Sequence, residues 1–345
     1  MSAAIGSGLR VTSFKPIMKA ESPGPSVSKL VPRVRTTAMI LYALYMALTV
    51  IEFIFLLCGR MSVFDALNTA FSTAGTGGFG VRNDGMAGYS NYLQTVVTVF
   101  MLLFSINFGC YYLLLLRRIR EVFNAEVRVF LLIVAAAVAV ITVDLRLNGV
   151  INSVTGESFT LYGAIHHAAF TVSSLISTTG YATADFDLWP ALSKTVLVGV
   201  MFLGACAGST GGGIKVSRIL ILCKSIRREI EGLVHPHRVR RITMDRRVVD
   251  TDVIRSTNVY FVAYVLLFAV SVLLISFDDF DLVTNFTAVT SSLNNVGPGL
   301  SLVGPTRNFA LFSTASKVVL IFDMLAGRLE LFPMLALLVP STWKD

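Results

Sequence analysis

The sequence predicts an all-α polytopic membrane protein made of tandem helix–pore-loop–helix repeats around a central pore. Three observations carry this reading. First, the 345 residues are 54% apolar and only 14% charged, with a mean hydropathy of +0.71, a balance that soluble domains rarely show. Second, long apolar runs recur at residues 37–58, 93–116, 127–147, 191–206, 253–277 and 309–326, each near the length that crosses a hydrocarbon core. Third, three short glycine motifs follow one another, with 102 residues from Gly78 to Gly180 and 117 from Gly180 to Gly297. Such spacing marks internal repeats.

Residues 1–36 are polar, basic and rich in Pro, Gly and Ser, with no secretory signal, and read as a cytoplasmic N-terminal linker. The first unit, 37–126, has spans at 37–58 and 92–116. Between them Ser62-Val63-Phe64-Asp65 opens a short helix with a capping-box-like pattern. The second unit, 127–252, runs from a span at 127–147 through a segment at 160–177 to a helix at 190–206, with Pro190 suited to its first turn. The third unit, 253–345, runs through 253–277, 282–294 and 307–339. The short middle segments cannot span and read as re-entrant pore helices. The irregular backbone after each is tolerated at membrane depth only in protein or beside a water-filled cavity.

Charge placement sets the orientation. Basic residues gather before residue 36, at Arg117-Arg118-Ile119-Arg120 and between Lys224 and Arg255, whereas Asp84, Asp185, Asp187, Asp278, Asp279 and Asp281 sit near the motifs. The positive-inside rule puts the basic segments and both termini in the cytoplasm. The net charge of +8 is therefore a topology signal, and the expected partner is the lipid bilayer, not nucleic acid. Cys58, Cys110, Cys206 and Cys223 show no metal spacing and read as buried small hydrophobes. His166 and His167 read as packed or hydrogen-bonded helical histidines. With no nucleophile–base pair or paired carboxylates, no enzyme and no organic cofactor are expected. Gly75 to Gly80 matches the G-x-G-x-x-G fingerprint, but it lacks the strand that a dinucleotide site needs.

The motifs align without gaps as Thr76-Gly77-Gly78-Phe79, Thr178-Thr179-Gly180-Tyr181 and Asn295-Val296-Gly297-Pro298. Each is a variant of the potassium filter loop Thr-Val-Gly-Tyr-Gly, whose carbonyls replace an ion's hydration shell. Carbonyls from the first three positions would ring a dehydrated monovalent cation. This gives potassium, as substrate, sites at Thr76, Gly77, Thr178, Thr179, Asn295 and Val296. Phe79, Tyr181 and Pro298 would pack behind the loops. Ordinary turns between helices are the competing reading.

Two further features lie below the motifs. Gly208, Gly211, Gly212, Gly213 and Lys215 belong to a stretch that interrupts the last helix of the second unit, because four glycines in six positions cannot sustain a helix. It reads either as a loop obstructing the pore or as a plain kink. Arg328 lies in an apolar stretch reaching Pro340, where a cation is costly and usually functional or paired. Asp323, Glu330 or the glycine-loop carbonyls are its candidate partners. Snorkelling at the cytoplasmic end is the other reading.

Taken together, Ala70-Phe71-Ser72-Thr73, Gly77-Gly78-Phe79, Ser177-Thr178-Thr179-Gly180-Tyr181, Ala207 to Lys215, Asn295 to Gly299 and Gly327-Arg328-Leu329-Glu330 resemble the membrane subunit of the Trk/Ktr/HKT potassium transporter superfamily, closest to its bacterial TrkH branch. The resemblance implies four pore-loop units around one pore, of which the units here match the second, third and fourth. It implies potassium uptake in a bacterial inner membrane, a homodimer and a cytosolic nucleotide-binding ring of the TrkA type. It also makes Gly208–Lys215 and Arg328 an intramembrane gate. Counting 102 to 117 residues back from Gly78 puts the remaining motif ahead of residue 1, and residues 1–36 are too few for another unit. A truncated, non-conducting subunit needing a complementary chain is thus one alternative, and a sodium-coupled secondary transporter with discontinuous helices is another.

Overall fold

The computed structural model describes residues 34–151, 158–235, 241–245, 247–329 and 331–337. The first helix, α1, spans Val34–Cys58. The short helix α2, Val63–Ala74, begins where the sequence places it, with Ser62 Oγ accepting from the Asp65 amide at 3.1 Å. That side chain satisfies one of the donors a helix start leaves free.

The expected span at 92–116 is instead two helices, α3 (Asn91–Ser105) and α4 (Phe108–Leu115), bent by 91°. The cause is Asn107, whose Oδ1 takes the Gly109 amide at 2.7 Å and caps a new helix inside the apolar run. The freed carbonyls do not go unpaired. Ser105 accepts from the Cys206 amide at 3.0 Å, and Phe104 from the Thr210 amide at 3.4 Å.

A single turn, α5 (Ile119–Val122), leads to α6, Ala125–Leu147, which Asn124 caps through the Val127 amide at 2.9 Å. Next come α7 (Leu161–Ile176), α8 (Ala191–Leu203) and α9 (Val216–Val234). Pro190 offers α8 no side-chain cap. Asp144 of α6 supplies one, accepting from the Ser193 amide at 3.0 Å and its hydroxyl at 2.6 Å. In the basic linker, β1 (Thr243–Met244) and β2 (Arg247–Val248) pair antiparallel, Thr243 opposite Val248. The chain continues through α10 (Thr251–Ile275), α11 (Leu282–Asn294), α12 (Thr314–Arg328) and α13 (Leu331–Leu337).

Among the described residues, three helices are long and apolar enough to cross a membrane, at Arg35–Cys58, Ala125–Leu147 and Thr251–Asp278, and the bent α3–α4 pair makes a fourth if taken as one span. The runs at 191–206 and 309–326 are shorter helices: α8 stops at the glycine-rich stretch, and α12 starts only after the Ser313 cap. The protein is thus a helical, multi-pass membrane protein.

Packing joins the units through their motif loops. One apolar cluster collects α1, α2 and α3 but also Phe170 of α7 and Tyr181. A second collects α6, α7 and α8 and takes in Val296 and Leu300 from beyond α11. The second and third motif loops are therefore each packed against the unit before them. Asn285, in a glycosylation sequon, is buried in α11 with its amide on the Phe280 carbonyl at 3.0 Å.

Candidate functional site

The three motif loops share one backbone. At the first position the amides of Thr76, Thr178 and Asn295 donate to the carbonyls three residues back, Thr73, Leu175 and Ser292, at 3.1, 3.2 and 3.1 Å. At the second, Gly77, Thr179 and Val296 donate five residues back to Ser72, Ser174 and Ser291, at 2.7, 2.9 and 2.9 Å. This pair of bonds is the Schellman closure of a helix C-terminus, whose turning residue is left-handed and usually glycine. Here φ is 51° at Thr76, 60° at Thr178 and 56° at Asn295. Asparagine tolerates that region, but a β-branched residue there is strained.

The threonine hydroxyls explain why the strained residue is present. Thr178 Oγ1 accepts from the Gly212 amide at 2.7 Å, and Thr76 Oγ1 donates to the Gly75 carbonyl at 2.8 Å and reaches the Thr210 carbonyl at 3.2 Å. Glycine would relax the turn and lose these contacts.

Between loops, the third-position glycines set the spacing. Gly78, Gly180 and Gly297 have φ of 69°, 84° and 109°. A Cβ on Gly78 would run into the Thr179 carbonyl oxygen, and one on Gly180 into that of Val296. Gly78 and Gly180 therefore each abut the second-position carbonyl of the following loop. Fourth-position rings lean the other way. Tyr181, only 2% exposed, donates its hydroxyl to the Phe79 carbonyl at 3.2 Å, and Pro298 Cδ lies 3.1 Å from where a Gly180 Cβ would be.

The arrangement is an arc with two open edges among the described residues. A Cβ on Gly297 would meet nothing nearer than the Gly180 Cα at 3.8 Å. Phe79 does not pack behind its loop as expected, because it is 82% exposed. The geometric reason is that its counterparts rest on a preceding loop, and Phe79 has none among the described residues.

Serines under the loops were not singled out from the sequence. Ser174 Oγ donates to the Tyr181 carbonyl at 2.6 Å, and Ser291 Oγ donates to the Gly297 carbonyl at 2.6 Å and accepts its amide at 3.0 Å. Ser72 holds the equivalent place, its hydroxyl buried. The signal was available: a serine stands four residues before Thr76, Thr178 and Asn295 alike.

The stretch after α8 is a loop tucked against the inner ends of the motif loops. A Cβ on Gly211 would lie 2.8 Å from the Ser177 carbonyl oxygen, and one on Gly212 2.5 Å from that of Asn294. Gly208 and Gly213 turn through φ of 73° and 77°. Lys215 is buried at φ 80°, and its ammonium folds back to donate to the Gly211 carbonyl.

Arg328 resolves its partners in favour of the loop. Its Nη1 donates to the Thr210 carbonyl at 3.0 Å and the Thr76 hydroxyl at 3.3 Å, and its Nη2 to the Gly75 carbonyl at 3.3 Å. It thus bonds both the first motif loop and the glycine-rich loop. Asp323 is engaged elsewhere, accepting from Ser271 Oγ at 2.8 Å, and Glu330 lies outside the described residues. Beside Arg328, a Cβ on Gly327 would strike the Leu293 carbonyl oxygen, and Asn295 Nδ2 donates to Met324 O at 3.0 Å. These contacts fasten α12 to the third motif loop.

His166 and His167 hold structure together: Nε2 of the first lies 2.7 Å from Gln94 Oε1, and Nδ1 of the second 3.0 Å from Thr183 Oγ1. No group of metal-ligating side chains occurs among the described residues. All four cysteines are free; Cys110 and Cys206 are buried as expected, but Cys58 and Cys223, at helix surfaces, are exposed.

Comparison with known proteins matches this architecture. A family described as "TrkH: Cation transport protein" matches residues 17–344. The Trk system potassium uptake protein TrkH of Salmonella typhimurium is 36% identical over 334 residues, which cover 95% of this chain and 67% of that protein. The Trk system potassium uptake protein TrkG of Escherichia coli is 30% identical, covering 95% and 67%. The crystal structure of the potassium transporter TrkH from Vibrio parahaemolyticus superimposes with a TM-score of 0.80 at 33% identity, covering 93% of this chain and 68% of that one. The chain spans about two thirds of the length of these relatives and belongs to the TrkH family of cation transport proteins, which are not enzymes.

Proposed function

We propose that this chain forms three quarters of a potassium uptake pore in a bacterial inner membrane, with its termini in the cytoplasm. The observation that carries the reading is the repeated loop geometry: the same left-handed turn at Thr76, Thr178 and Asn295, with Gly78 and Gly180 each seated on the next loop's carbonyl. Glycine at that contact lets the backbones of adjacent loops approach closely, as a ring of carbonyls around a bare cation requires. The relatives named as potassium uptake proteins make potassium the substrate of choice. A homodimer and a cytosolic nucleotide-binding ring of the TrkA type are the assembly that the resemblance implies.

The open edges at Phe79 and Gly297 fit a fourth loop of the same kind, its own fourth-position ring resting on Gly297 and its backbone receiving Phe79. The gate is the glycine-rich loop with Lys215 and Arg328. It touches the inner ends of all three motif loops, and Arg328 bonds it to the first. A cation held there opposes a permeating cation until the loop moves.

The test is growth on low potassium in a bacterial strain without potassium uptake, with this chain alone or joined to the first pore-loop unit of Salmonella typhimurium TrkH. Growth is expected only with the added unit. Growth of the chain alone would remove the need for a fourth loop. No growth in either arm, with the protein in the membrane, would overturn the potassium reading.

A further inference from the structure

Glu126 is the second residue of α6 and is buried. One carboxylate oxygen, Oε1, accepts two backbone amides, Ala207 at 2.7 Å and Ser217 at 3.1 Å. Those residues flank the glycine-rich loop on either side. Two backbone bonds close the same neck: Ile214 to the Phe202 carbonyl at 3.3 Å and Val216 to the Ala205 carbonyl at 3.2 Å. Glu126 is the only side chain that bonds both shoulders among the described residues. An acid in the first turn of a helix has a ready electrostatic role at its own helix end; here the carboxylate is turned instead onto another segment.

The residue before it extends the chain of contacts. The Ala125 amide donates to Asp245 Oδ1 at 2.8 Å. Asp245 forms the turn of the β1–β2 hairpin, at φ 47°. The hairpin is also tied to α9, because Lys224 Nζ donates to the Thr243 carbonyl at 2.6 Å. A cytoplasmic element thus grips the start of α6, and the next residue of α6 grips the loop neck.

We propose that Glu126 is a positioning residue that straps the glycine-rich loop shut, and that the Asp245 turn sets its place, so a displacement of the hairpin reaches the loop through Glu126. This rests on the loop acting as a gate. Coupling of this kind needs a continuous physical connection with two arrangements at its end, and the bonds above supply the connection.

Cys206 offers the readout, being buried at the neck with its amide on Ser105. With Cys58, Cys110 and Cys223 replaced by serine, the rate of N-ethylmaleimide attachment to Cys206 is measured in reconstituted bilayers. Glu126→Ala removes both bonds and should raise the rate about tenfold. Glu126→Gln keeps an oxygen that accepts both amides and should stay within about threefold of the parent. Glu126→Asp keeps the charge but falls one methylene short, and should label like alanine. Asp245→Ala should raise the rate as well.

Equal rates for alanine and the parent, or for alanine and glutamine, would overturn the strap, and an unchanged rate in Asp245→Ala would overturn its link to the hairpin. Labelling does not depend on conduction. Faster labelling without increased flux through the pore completed by a fourth unit would therefore leave the strap standing and remove the gate reading instead.

Discussion

Replacing Gly180 with alanine is expected to reduce potassium uptake to the level of cells without the transporter. At φ 84° an alanine is in a left-handed conformation that costs about 1–2 kcal/mol. The larger effect is local, since the new methyl group occupies the place of the Val296 carbonyl oxygen. Either the third loop moves outward or the second loop turns, and in both cases one oxygen leaves the proposed ring. Gly199 in α8 is the matched control. A Cβ there meets nothing within 4 Å, and alanine in a helix interior gains roughly 0.5–1 kcal/mol over glycine. Rubidium uptake through the pore completed by a fourth unit checks the pair: Gly180→Ala near background and Gly199→Ala near the parent. Parent-like uptake in Gly180→Ala would show that the loop contact is not needed for conduction.

Replacing Arg328 with alanine should act in the opposite direction. The guanidinium bonds the Thr210 and Gly75 carbonyls and the Thr76 hydroxyl, so it holds the glycine-rich loop and, in the proposed pore, places a positive charge beside the path. A unit charge about 6 Å from a permeating cation raises its energy by about 3 kcal/mol at an effective dielectric of 20. Part of that barrier remains with Lys215, so the expected gain in flux is about tenfold rather than the full amount. Arg328→Lys keeps the charge but not the forked geometry, and should fall between the parent and alanine. Unchanged or lower flux in a well-expressed Arg328→Ala would count against the gate.

Much of the fold was legible because apolar runs and caps are local signals. Ser62 and the start of α11 show this, as does the continuous apolar run that became α6. The motif loops were legible for the same reason, since their glycines occur at fixed offsets.

What stayed hidden depends on contacts between distant residues. Nothing in the composition of 93–116 announces a 91° bend, because Asn107 acts as a cap only when the glycine-rich loop is there to take the freed Phe104 and Ser105 carbonyls. The choice among Arg328's candidate partners was likewise tertiary: Asp323 is nearer in sequence, yet Ser271 claims it. Glu126 was not singled out, because its partners stand 81 and 91 residues away. The two-residue strands of the hairpin were too short to show any alternation.

The most direct measurement is anomalous diffraction from crystals of the completed pore grown with thallium in place of potassium. The predicted result is thallium density on the pore axis, level with the carbonyls of Gly77, Thr179 and Val296 and lost in Gly180→Ala. Density confined to surface carboxylates such as Asp84 or Asp185, with none between the loops, would contradict the proposal that these three motifs bind the transported ion.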